Sequence, residues 1–143
     1  MAKQVAAPIL MTLFALTLLG IAAWLKPNPM GMGTHEQLGL PSCSFLIHYG
    51  KPCPFCGMTT SYSHMVRGQV LQSARAQPLG AILAFVTFLV PLYSGFVLVK
   101  KKPFFPKMYY RRWPWLLLAL AVLCLLSWVY KIAAYSASLP KST

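Results

Sequence analysis

Three stretches of about twenty residues contain no charged side chain: 5–25, 79–99 and 113–130. At about 1.5 Å per residue, a helix of that length crosses roughly 30 Å, the thickness of a bilayer's hydrocarbon core. A chain with three such runs in 143 residues has little left from which to build a water-soluble core. The runs therefore predict an all-α membrane protein with three transmembrane helices.

Composition supports lipid as the solvent. The chain is 57% hydrophobic and 10% charged, with a mean hydropathy of +0.59, against about 25% charged in ordinary soluble domains. Thirteen Lys and Arg stand against one acid, Glu36. The net charge of +12 does not mark a nucleic-acid binder, because the cations do not decorate a soluble fold. Six of them, Lys100, Lys101, Lys102, Lys107, Arg111 and Arg112, fall in the short segment 100–112 between two apolar runs. Short loops rich in Lys and Arg stay cytoplasmic. This places the N-terminus and 100–112 inside the cell and loop 26–78 outside, where four cations are spread over 53 residues. The same six cations would attract anionic lipid.

The runs carry further marks. With only Lys3 before it, the first is too long for a signal-peptide core and reads as a retained anchor. Pro8 is expected in its first turn, where a missing N–H costs little. Pro78 opens the second run, and Pro91 inside it predicts a kink near Val90. Trp113 and Trp115 at one end of the third run, with Trp128 and Tyr130 at the other, fit two aromatic belts. Lys131 would then reach to the interface, and Cys124 reads as a small core residue.

The outer loop opens with KPNP, residues 26–29, which cannot continue a helix. Met30, Met32 and His35 have the chemistry of soft-metal ligands, and an external Met-x-Met can hold Cu(I). After Gly57, either Thr59 or Thr60 can cap a helix. Met58, Tyr62, Met65 and Val66 recur at helical spacing as an apolar stripe, with Ser61, His64 and Arg67 facing elsewhere. Gly68 is expected at C′ of this helix, and residues 69–76 form a second short helix before Pro78. Helices this short are marginal in water, so the hairpin must rest on the membrane or on the heads of the spanning helices, with Tyr62, Met65 and Val66 as its docking face.

The chemistry concentrates in KPCPFCGMTT, residues 51–60, together with Cys43; the spacing is C-x9-C-x2-C. Three readings compete. As a metal site, Cys43, Cys53 and Cys56 give three thiolates, and His48 or His64 completes a Cys3His set suited to zinc; Pro54 stiffens the turn and Gly57 lets the chain leave it. As a redox pair, Cys53 attacks and Cys56 resolves, helped by a helix N-terminus. The absence of a βαβ pattern excludes a thioredoxin-like domain. As a structural tie, two of the three pair outside the cytoplasm and leave an odd thiol.

Other classes fall away. A single acid cannot form the paired carboxylates of glycosidic or proteolytic work, nor orient a His with specificity in a Ser-His-Asp array. No Gly-rich phosphate loop precedes a helix. No charge lies within the apolar runs, which argues against an ion relay.

Cys43, PCPFCGMT (52–59), the RG at Arg67 and Gly68, and QPLG (77–80) resemble a bacterial membrane family, domain of unknown function 2752. In that family an upstream cysteine precedes C-P-x-C-G-x-T-R, an R-G-D-like turn, and N-P before an apolar helix. Thr60 stands where the family usually has Arg, Gln69 where it often has Asp, and Gln77 where it often has Asn. The first change removes a cation that could steady a thiolate or an anion; the second removes a helix cap. The resemblance makes Pro54, Gly57, Thr59, Arg67, Gly68 and Pro78 structural parts of the motif. It implies a small integral protein of the bacterial inner membrane with a cysteine-bearing interfacial hairpin; it does not imply a reaction. The combined expectation is a non-catalytic accessory or assembly subunit of a membrane complex, its outer loop organised by the three cysteines. A thiol–disulfide enzyme using Cys53 and Cys56, or a zinc- or copper-binding membrane protein, are the alternatives.

Overall fold

A computed structural model of the chain describes residues 2–100 and 108–138. Six α-helices follow in order: α1 (Ala2–Trp24), α2 (Ser44–Tyr49), α3 (Met58–Val66), α4 (Val70–Ala76), α5 (Pro78–Lys100) and α6 (Met108–Ser138), with a 3-10 turn at Thr34–Leu38 between α1 and α2. Among the described residues there is no strand. Helices α1, α5 and α6 contain spans of 19, 23 and 26 residues, long and apolar enough to cross a membrane. Their outward faces carry exposed Leu, Ile, Val and Phe along their length, which suits lipid and would be untenable in water.

The boundaries depart from the expected runs in informative ways. Helix α1 begins at Ala2, so Pro8 lies inside it rather than in its first turn. Pro78 is the first residue of α5, and that helix is continuous across Pro91. Helix α6 runs eight residues past Tyr130, and Lys131 is buried, with Nζ bonded to carbonyls of the loop between α1 and α5. Of the basic segment, Lys101, Lys102 and Lys107 lie outside the described residues, as does the side chain of Arg111; Lys100 and Arg112 are exposed.

The loop between α1 and α5 folds into a small cap on the ends of the spanning helices. Helix α3 packs on α4, α5 and α1. Its buried face is unexpectedly polar: Thr60, Ser61 and Ser63 are fully buried, whereas the stripe Met58, Tyr62, Met65 and Val66 is half-buried. Small residues let backbones approach closely where lipid gives helices no hydrophobic reason to associate. The Ser61 hydroxyl donates to the Ser73 and Gln77 carbonyls (3.0 and 3.1 Å) and pairs with the Ser73 hydroxyl at 2.8 Å. A Cβ on Gly80 would come within 2.9 Å of the Ser61 Cβ, so this glycine permits the contact. The Tyr62 hydroxyl lies 3.0 Å from Thr87 Oγ1 on α5, so that face is engaged with the chain's own helices.

Helix α3 starts at Gly57 (φ 91°) with no side-chain cap. Thr59 and Thr60 therefore do not cap it, because the chain turns one residue earlier than the threonines allow. The helix ends as expected at Gly68 (φ 74°), in a Schellman motif: Gly68 N–H donates to Met65 O and Gln69 N–H to His64 O, at 2.9 and 3.0 Å. Arg67, just past the end, donates to Ala22 O and Ala23 O of α1 and to Leu25 O immediately after it. A cation on a helix's last carbonyls is favoured by their partial negative charge, so Arg67 ties the cap to the first span.

Candidate metal centre

The Cys53–Gly57 segment forms two successive turns, with Cys56 N–H donating to Cys53 O (3.0 Å) and Met58 N–H to Phe55 O (3.1 Å). Cys43 arrives from a different element, at the N-cap of α2. The three sulfurs come together, all within 4.8 Å of one another. None is disulfide-bonded; Cys56 is buried, Cys43 and Cys53 half-buried. Cys124, in the third span, is not part of the group.

Contacts from distant elements hold the turn. Gln77, fully buried, donates from Nε2 to Pro54 O at 2.7 Å. Trp128 of α6 donates from Nε1 to Pro52 O at 3.0 Å, and its ring meets Phe45 of α2 edge-on at 6.3 Å. Trp128 thus anchors the cysteine loop to α6. Lys131, only 4% exposed, donates from Nζ to Ala76 O at the end of α4 (2.7 Å) and to Gly31 O (2.9 Å). Neither Gln77 nor Lys131 stood out as a site residue in the sequence; the signal for Lys131 was a lone cation closing an apolar helix.

A cavity of about 320 Å³ opens over the sulfurs, lined by all three cysteines, Gly57, Thr59 and His35. The expected fourth ligands lie elsewhere. His48 is exposed, with Nδ1 2.9 Å from Ser44 O of its own helix. His64 Nδ1 lies 2.7 Å from Gln69 Oε1, and the ring lines a second cavity of about 590 Å³ together with Met30, Met32, Arg75 and Lys131. His35 is thereby separated from Met30 and Met32, with which its sequence had grouped it.

Burial is the largest influence on all three thiols and favours their neutral forms. Cys43 nevertheless falls below its ordinary value, because the backbone N–H groups of Leu46, Phe45 and Cys53 and the Cys53 thiol stabilise its thiolate. Cys53 is raised, by burial and then by Cys43. Cys56 is pushed up to about 12, by burial and then by the charges of Cys53 and Cys43. Three thiolates this close repel one another unless a cation joins them. The CxxC pair holds the raised thiols, the reverse of what an attacking redox cysteine needs.

In the metal-free chain, an alkylating reagent near neutral pH is expected to modify Cys43 first and Cys56 last, timed by mass spectrometry of peptides. Equal rates would contradict the ordering. The sign for stability follows: a thiol raised on folding favours the folded chain at pH below its ordinary 9.0, and that contribution disappears as pH rises to about 12. Metal-free protein is thus expected to melt at lower temperature as pH climbs above 9.

Residues 43–91 match the family described as "Protein of unknown function (DUF2752)", the one that the cysteine motif resembles. The match takes in all three clustered cysteines, the cap helices and the first half of α5. No curated protein and no solved structure matches the chain.

Proposed function

We propose that this chain is a small, non-catalytic subunit of a membrane complex, whose external cap is folded around a metal ion held by Cys43, Cys53 and Cys56. The observation that carries the reading is the convergence of three sulfurs from two elements within 4.8 Å. Thiolate sets of this kind suit zinc or Cu(I). The ion would lock α2 to the turn before α3, where a cap of very short helices most needs a tie. The site offers a metal role without a reaction: no carboxylate accompanies the cysteines, and Glu36 is the chain's single acid.

Partner binding is supported by the apolar side chains that the cap leaves outside. Ile47 and Tyr49 on α2 and Phe55 within the cysteine turn are each at least 60% exposed, beside the groups that the metal would order. A second membrane protein is the partner these residues suit. Charge supports an inner-membrane orientation with the N-terminus and 100–112 cytoplasmic and the cap outside, anionic lipid gathering at the inner cations.

The test is purification from native membranes in mild detergent. A co-eluting membrane protein that a chelator releases, with α-helical content retained, is the expected result. Recovery as a lone monomer, with or without metal, contradicts the accessory role.

A further inference from the structure

Three thiolates leave one position of a tetrahedral ion open. His48 and His64 are each bonded locally, and among the described residues no histidine falls within the 4.8 Å sulfur group itself. His35 lines the sulfur cavity. Its Nε2 lies 3.3 Å from Pro41 O. A carbonyl only accepts, so Nε2 is the donor in this contact, which in the neutral ring leaves Nδ1 as the acceptor. Histidines that bind metals characteristically donate their other ring N–H to a carbonyl or carboxylate, which fixes the tautomer.

The backbone under His35 is also held toward the cysteines. The preceding residue, Thr34, is fully buried, and its hydroxyl lies 2.7 Å from that of Thr60 on α3, itself fully buried. The Thr34 Oγ1 further accepts from Asn28 N–H at 3.0 Å. Gly33, in the left-handed region at φ 83°, begins the 3-10 turn and lines the same cavity. A histidine one residue from this peg has its backbone fixed beside the sulfur cavity.

We propose that His35 is the fourth ligand of a Cys3His centre for a divalent, tetrahedral cation such as zinc, binding through Nδ1. The inference rests on the three cysteines being metal ligands. Binding releases the three thiol protons to solvent and leaves neutral imidazole unchanged. Three thiolates and one dication then sum to −1, and Lys131, whose buried Nζ donates to Gly31 O and Ala76 O beside Gly57, is the nearby cation that would compensate that charge. The cap thereby holds a neutral site despite its shortage of acids.

The test uses the reduced full chain in detergent, titrated with cobalt(II) as a spectroscopic probe and with zinc in competition. Wild type is expected to show thiolate-to-cobalt charge transfer and intense tetrahedral d–d bands. His35→Ala should keep the charge transfer, shift and weaken the d–d bands, and lose zinc affinity by at least about tenfold. His35→Cys should restore a tetrahedral spectrum, which separates ligand loss from misfolding. His48→Ala and His64→Ala should match wild type. Binding by wild type with His35→Ala unchanged in spectrum and affinity overturns His35 alone. So does a loss of affinity that His35→Cys fails to restore. A reduced wild type that binds neither metal overturns the metal reading itself.

Discussion

Gly57→Ala is expected to dismantle the cap. The residue sits at φ +91°, and a Cβ there would run into Gly31 O and lie 2.9 Å from Ala76 O and 3.1 Å from the Lys131 Nζ. Two of those neighbours are backbone, and the third is a buried side chain already bonded to both carbonyls. Nothing nearby can move cheaply. The left-handed conformation alone costs a non-glycine residue about 1–2 kcal/mol. With overpacking of about 1–3 kcal/mol, a total near 3 kcal/mol is expected. Thermal unfolding in detergent should show it as a lower melting temperature. Because Gly57 follows Cys56, metal capacity should fall with it. By contrast, Gly39→Ala shares the left-handed backbone cost of about 1–2 kcal/mol, but its Cβ would meet nothing within 4 Å, so it should lose less stability than Gly57→Ala and keep more metal capacity. Equal metal capacity in Gly57→Ala and wild type would show that the close approach is not needed.

Lys131→Met is the second large effect. The substitution keeps the apolar stem and removes the ammonium that satisfies Ala76 O and Gly31 O. A buried acceptor left without a donor costs about 1–3 kcal/mol. Two of them outweigh the relief of no longer burying a cation, so a net loss of about 2–3 kcal/mol is expected. The contact joins residues 100 positions apart, and its loss should also loosen α6 from the cap. Two readouts follow: a lower melting temperature, and faster alkylation of Cys56 in the metal-free chain as its cover opens. Unchanged values for both would reduce Lys131 to a passive passenger.

The membrane-crossing helices were legible because their signal is local. Twenty uncharged apolar residues admit few other structures, and the model of exposed apolar faces around α1, α5 and α6 follows from hydropathy alone. The sulfur group was legible from the spacing of the cysteines, since C-x2-C in a tight turn already aims two sulfurs together. What periodicity obscured was the buried face of α3. An apolar stripe normally points to a core, but here the close contacts belong to Thr60, Ser61 and Ser63, whose small size lets the helices meet. Ser61 can be buried because its hydroxyl finds backbone carbonyls on α4 and at its end.

The fourth-ligand candidate eluded the sequence for a related reason. His48 and His64 lie nearer the CxxC in the chain, but His48 is bonded to its own helix. His35 lines the cavity over the sulfurs, next to the Thr34–Thr60 contact that spans 26 positions. Thr60 thus serves as a buried peg for the 3-10 turn. Lys131 posed the same difficulty at longer range. Its lone charge after an apolar run suggested an interfacial side chain, and only the extension of α6 beyond Tyr130 turns it into the cap.

The central claim is that the three sulfurs of the cap serve a single bound ion. Mass spectrometry of the intact protein, kept folded in its native redox state and alkylated before and after chelation, tests it most directly. The prediction is one metal ion per chain, with Cys43, Cys53 and Cys56 protected until the chelator is added and all three modified afterwards. A metal-free mass with the three thiols modified at once, or a mass two protons light with a disulfide among them, would contradict it.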